Sequence, residues 1–311
     1  MKNSVSVRGY TLVMLSAVLF GCMPLITSYI YDAGINRESV VLLRNLLALP
    51  VLGVLTWNQK KSFRIPLKAL PAISVIALMG SCVTPLLLYG SYQCIATGTA
   101  TIFHFIYPAV VVLIGLVFLR KRTNTAMLSA VALCVLGICL FYNPNEPLDW
   151  KGCVLALTSG VTYAVYIVLL SVFQYKEVSG FQFSFYISAV CSAIMLVICL
   201  TGGLLMLPTT VSGWLLCVLL AVVINVGAVV MFQRGTFLIG GERASVLSTL
   251  EPLTGVIVGV VVFQEKITPG MGVGSIMVIL ACILITIFDT KQKNSGREEA
   301  AASEKQHCPG D

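Results

Sequence analysis

Ten times along this chain an apolar run recurs at close to the length, about 20 residues, that a helix needs to cross roughly 30 Å of hydrocarbon. The runs lie at roughly 9–31, 38–57, 69–92, 99–119, 126–142, 152–174, 181–201, 212–234, 244–263 and 269–288. Hydrophobic residues make up 58% of the chain and charged residues 11%, against about 25% charged in soluble domains. So few polar side chains cannot cover a globule in water, and lipid is the solvent such a chain fits. The expected fold class is an all-α integral membrane protein with ten transmembrane helices. The first run is too long for a signal-peptide core and has no small-residue cleavage pattern after it, so it reads as a retained span. Residues 291–311, charged and rich in Ala, Ser and Glu, read as a disordered cytoplasmic tail.

Lys and Arg set the orientation. With the N-terminus inside, the inner segments hold Lys2, Arg8, Lys60, Lys61, Arg64, Lys68, Arg120, Lys121, Arg122, Lys176, Arg234, Arg243, Lys291, Lys293, Arg297 and Lys305. The outer segments hold only Arg37, Lys151 and Lys266, and Arg44 lies within a span. A wrong number of spans would scramble this asymmetry. Both termini are therefore expected in the cytoplasm, with the protein in the plasma membrane. The net charge of +7 does not point to nucleic acid, because the basic residues are dispersed between apolar runs rather than gathered on one face. The eleven cysteines lie almost entirely inside apolar runs with no CxxC pair and no zinc spacing, so they read as small hydrophobes. No cofactor and no metal site is expected.

Shifting the chain by 144 residues lays the fourth and fifth spans over the ninth and tenth without a gap. Pro108 falls on Pro252, Gly115 on Gly259 and Met127 on Met271. Two units follow, 1–142 and 143–290, each with five spans. Five is odd, so the second runs upside down relative to the first. Inverted repeats of this kind suit alternating access to a site at the bilayer midplane.

Several residues resemble the drug/metabolite transporter superfamily, specifically its EamA-type ten-span permeases. They are Leu250-Glu251-Pro252 in the ninth span, Gly259, the Glu265 that follows, and Gly272 or Gly274 in the tenth. Arg44-Asn45-Leu46-Leu47-Ala48 is similar to the family's Arg-Phe-x-x-Ala with Asn45 in place of the aromatic, and Tyr107-Pro108 stands where its apolar-Pro element belongs. Arg120-Lys121-Arg122 replaces the acidic residue common after it. The resemblance covers about residues 9–288 and implies a secondary transporter exporting small polar metabolites, with amino acids the first expectation. Its partners would be a small-molecule substrate, the lipid bilayer and, as a candidate, a second copy in a homodimer.

Three ionisable groups lie well within the spans: Arg44, His104 and Glu251. A charge at the bilayer centre costs about 2.5–3.5 kcal/mol on insertion scales, so such groups face a cavity or a partner. Glu251, about 10 Å deep, suits binding and release of a proton, or structural hydrogen bonding between helices. His104, roughly 8 Å deep, is a proton acceptor near the outer mouth or a packing residue. Arg44 could attract a carboxylate or phosphate, or pair with an acidic group or the carbonyl of His104. That carbonyl and the one of Ser248 lose their donors to Pro108 and Pro252. The two prolines thus predict kinked helices facing a central cavity, with Tyr107 and Glu251 at matching depths, or bends that serve packing alone. Tyr163, Tyr166, Gln93, Asn225 and Gln233 are candidate cavity linings. Gly255 with Gly259, and Gly270 with Gly274, have the spacing of close helix contacts.

The absence of a GxxxxGK[ST] motif excludes an ATP-driven pump. An organophosphate or nucleotide-sugar exchanger would need several cavity cations beside Arg44, and a hydrophobic-cation exporter would lean on Glu251, Tyr107 and Tyr163. An intramembrane enzyme would need a converging nucleophile and base, and a structural or sensory protein a folded appendage; neither signature is present in this sequence.

Overall fold

The computed structural model describes residues 2–59, 63–95, 97–120, 125–140, 149–173, 178–262, 269–270 and 272–284. Glu265, Lys121, Arg122 and the tail at 291–311 lie outside them. The described residues form helices with no strand: α1 Lys2–Gly21, α2 Met23–Asp32, α3 Arg37–Leu46, α4 Ala48–Asn58, α5 Leu70–Ala77, α6 Thr84–Ser91, α7 Thr97–His104, α8 Tyr107–Val117, α9 Thr125–Cys139, α10 Trp150–Val172, α11 Gly180–Thr201, α12 Val211–Leu220, α13 Val230–Ile239, α14 Gly241–Leu247 and α15 Leu250–Val262, then α16 Gly272–Leu284.

Among the described residues, seven stretches are long and apolar enough to cross a membrane: Val7–Asp32, Arg37–Asn58, Leu67–Ser91, Thr99–Val117, Trp150–Val172, Gly180–Thr201 and Val211–Ile239. Of the other three expected spans, α9 and α16 are shorter apolar helices, and α14 with α15 cover the third. Large apolar side chains such as Leu113, Val154, Val197, Leu215, Ile257 and Ile276 are exposed around the bundle, as a lipid solvent requires.

Several spans are broken rather than straight. The chain of α7 and α8 is interrupted at Phe105 and Ile106, and that of α14 and α15 at Ser248 and Thr249. Each break stands just before a proline, whose missing N–H ends the helical ladder. The third and eighth spans each contain a π segment, Leu78–Val83 between α5 and α6 and Ala221–Val229 between α12 and α13. The sequence reading placed a cytoplasmic loop over 235–243. Instead α13 runs to Ile239 and α14 starts at Gly241. Gly240 turns the chain alone at φ +86°, a backbone state that a Cβ disfavours.

Helix ends gather into two groups. Gln182 Nε2 donates to the Arg64 carbonyl and Tyr186 Oη to that of Phe63, and Arg234 lies against Gly180 and over the Phe181 ring at 3.9 Å. At the other end Asn36 Nδ2 and Ser39 Oγ donate to the Leu204 carbonyl. Arg64 and Arg234 thus stand at one of these ends and Arg37 at the other.

Of the glycines whose spacing suggested close contacts, Gly274 makes one and Gly255 does not. Gly255 is exposed, with open space where a Cβ would stand. Gly137 approaches the Gly274 carbonyl, and Gly9 on α1 meets Gly235 on α13. A side chain at Gly235 would overlap Val13 and press on the Gly9 carbonyl, atoms that cannot move without parting the two helices. Gly235→Leu is expected to destabilise by about 1–3 kcal/mol, seen as a lower unfolding midpoint in detergent.

Candidate functional site

The three ionisable groups of the spans converge on one cavity of about 50 Å³, which Arg44, His104 and Glu251 all line. That space accommodates a handful of water molecules. α3 supplies Arg44, α7 His104 and α15 Glu251, so groups from both halves of the sequence meet there.

Arg44 is 4% exposed. Its Nε donates to Asn225 Oδ1 at 2.9 Å and its Nη1 to Tyr89 Oη at 2.6 Å. Asn225 replies through Nδ2 to the Arg44 carbonyl and to Asn45 Oδ1, each at 3.0 Å. The guanidinium has five N–H donors, and the remainder bond to none of the described residues. The pairing with an acidic group or with the His104 carbonyl that the sequence left open is not made. That carbonyl packs against the Cα of Gly160.

His104 Nδ1 lies 2.8 Å from Ser159 Oγ, and Ser159 Oγ donates its single proton to the Ala156 carbonyl at 2.6 Å. The Ser159 hydroxyl can then only accept, so the network assigns the proton to His104 Nδ1. When uncharged, His104 then keeps an acceptor lone pair on Nε2, which has no hydrogen-bond partner among the described residues.

Glu251 stands in the first turn of α15, at the positive end of that helix, because the break at Ser248 and Thr249 starts a new helix at this depth. Among the described residues its carboxyl has no hydrogen bond, and neither it nor Arg44 has an ion-pair partner.

Aromatic rings wall the cavity. Tyr163, Tyr166 and Phe232 lie nearly parallel, with centroids 5.5–6.4 Å apart and interplanar angles of 23–25°. Tyr163 lies within electrostatic range of both Arg44 and Glu251. Gly80, in the first π segment, lets the Tyr166 ring lie against the backbone, where a Cβ would overlap it.

Of the other expected residues, Tyr163 and Tyr166 line the cavity. Tyr107 is fully buried behind the wall, edge-on to Tyr163 at 4.9 Å. Asn225 and Gln233 hold neighbours rather than line the space: Gln233 accepts from Ser184 Oγ at 2.6 Å and donates to Tyr166 Oη at 3.2 Å. Gln93 sits exposed in the turn after α6. Pro108 and Pro252 are buried at the helix breaks. The sequence reading missed Phe20, Met23, Gly80, Thr84, Tyr89 and Phe232 as lining residues; only Tyr89, a polar-tipped side chain deep in an apolar run, carried a signal. Among the described residues no three His, Cys, Asp or Glu side chains gather into a metal site.

The sequence model of the EamA-like transporter family matches twice, over residues 7–143 and 150–287. This chain belongs to the EamA-like transporter family. An uncharacterized transporter of Archaeoglobus fulgidus is 28% identical over 277 residues, covering 89% of this chain and 95% of that protein. The uncharacterized inner membrane transporter YicL of Salmonella typhimurium is 23% identical over 303 residues, covering 90% and 95%. A solved crystal structure shares the fold with a TM-score of 0.69 at 16% identity, over 92% of this chain and 99% of that one. The protein is thus an EamA-like membrane transporter, whose partners are the lipid bilayer and a small-molecule substrate.

Proposed function

We propose that this EamA-like protein is a secondary transporter that exports small zwitterionic metabolites, amino acids foremost, through the cavity between Arg44 and Glu251. One observation carries the reading: a guanidinium and a carboxyl line the same small cavity, and neither is neutralised by an ion pair among the described residues. A free cation suits a substrate carboxylate, and a free carboxyl with tyrosine rings suits its ammonium. Neutral His104 Nε2 offers a further acceptor. A phosphorylated solute would call for more cations, and Arg44 is the one strongly basic group in the lining. A hydrophobic cation would be repelled by that same guanidinium. Export follows from the family resemblance.

The architecture proposed with it has ten spans in two inverted five-span halves, 1–142 and 143–290, with both termini in the cytoplasm. Support comes from the family model's double match, the paired breaks before Pro108 and Pro252, and the paired π segments of the third and eighth spans. Rocking of the halves would expose the cavity to each side in turn. Glu251 would carry the proton that drives export.

Metabolite profiling of the medium around cells that express the protein, beside empty-vector cells, tests this. A small set of amino acids or similar zwitterions is expected to accumulate outside only with the protein. Accumulation of phosphorylated solutes or organic cations instead would overturn the substrate reading.

A further inference from the structure

We infer that Asn225 is a positioning residue for substrate recognition: it holds the Arg44 guanidinium in the cavity wall while leaving its charge unspent. The inference rests on the reading of Arg44 as the carboxylate-binding group. Asn225 is 4% exposed and clasps the second span from both sides of its amide. Its Oδ1 takes Arg44 Nε–H at 2.9 Å, and its Nδ2 gives to the Arg44 carbonyl and to Asn45 Oδ1 at 3.0 Å each. Asn45 is itself anchored, donating to the Val41 carbonyl at 2.9 Å. The side-chain amide thus fixes the backbone that carries Arg44 and the first nitrogen of its head group.

Chemistry explains why an amide stands here. A carboxylate would hold the same nitrogen more tightly but would neutralise the guanidinium, and a substrate carboxylate would then meet no net charge. An aliphatic residue would leave Arg44 Nε and Asn45 Oδ1 without these partners in a buried site. Tyr89 completes the mounting, accepting from Nη1 at 2.6 Å and donating to Met23 Sδ at 3.4 Å.

Both holders come from the two spans with π segments. Asn225 lies within Ala221–Val229, and Tyr89 lies in α6, directly after Leu78–Val83. A π turn shifts the register of the residues around it relative to an unbroken helix. The aim of Arg44 therefore depends on the conformation of both spans, one from each half. A change in either π segment as the halves rock would slacken the mounting and release the substrate carboxylate.

The experiment uses the purified full-length protein in detergent. Thermal stabilisation is measured with each of the twenty common amino acids, then with the carboxyl-amide of the most effective one. The amide keeps the ammonium and side chain but lacks the negative charge. Native protein is expected to prefer the acid over its amide about tenfold or more. Asn225→Asp, isosteric but with a negative charge in place of the two Nδ2 donors, is expected to bring that preference close to one while amide binding is largely kept. A residue with a merely structural role would weaken both ligands alike. If Asn225→Asp does not fold, Tyr89→Phe, which removes the Nη1 acceptor and keeps the ring, is expected to lower the preference several-fold. A folded variant with the native acid-over-amide preference overturns the inference. If native protein binds acid and amide equally, or no amino acid at all, the carboxylate reading of Arg44 itself falls, and the positioning role with it.

Discussion

Replacing Arg44 by glutamine should lower the apparent affinity for a carboxylate-bearing substrate by about 10- to 100-fold, the worth of a buried charge-assisted hydrogen bond of about 1.5–3 kcal/mol. The side chain would keep hydrogen-bonding capacity and lose the charge. Arg44→Lys should fare little better, because one ammonium on a flexible stem cannot reproduce the planar fork that meets Asn225 and Tyr89 together. Transport kinetics in cells with matched membrane levels would show the loss mainly in KM. A variant with native KM would return Arg44 to a purely structural role, as a clasp between the second and eighth spans.

Glu251→Gln should abolish uphill transport while leaving downhill movement of solute. Glutamine keeps the shape and the hydrogen-bonding groups but can neither take up nor release a proton, so flux would no longer respond to a pH gradient. Loss of the counter-charge should also weaken substrates with a primary ammonium more than analogues without one. Uphill export that survives in the glutamine variant, with its pH dependence, would remove Glu251 from the coupling mechanism. The carboxyl would then serve to hold α15 against its neighbours.

The scaffold was legible because it rests on strong signals. Long apolar runs separated by charge can fold in little but lipid, and a proline in such a run removes a helical N–H donor wherever it stands. The same logic picked out Arg44, His104 and Glu251, since an ionisable group in hydrocarbon must find a cavity or a partner. All three line the cavity. What stayed hidden is facing. A helix that is apolar all round gives no stripe from which to read its inner side, so Phe20, Met23 and Phe232 could not be told from lipid-facing residues. The π segments were invisible too, because Gly80 and Ser81 in Leu78–Val83 and Asn225 in Ala221–Val229 do not by themselves signal a wider turn, and their shifted register decides where Asn225 and Tyr89 stand. Tyr107 and Asn225 were both expected at the cavity; one packs behind its wall and the other holds its cation.

Liposomes loaded with a labelled amino acid mixture and containing the purified protein give the most direct test of the central claim, that the Arg44–Glu251 cavity carries zwitterions across the membrane. Unlabelled amino acid added outside should speed loss of the internal label in vesicles with native protein. At the same subsaturating concentration Arg44→Gln vesicles should respond far less, needing about 10- to 100-fold more external amino acid for the same effect. Equal loss from native and Arg44→Gln vesicles, or none above the protein-free rate from native vesicles, would contradict it.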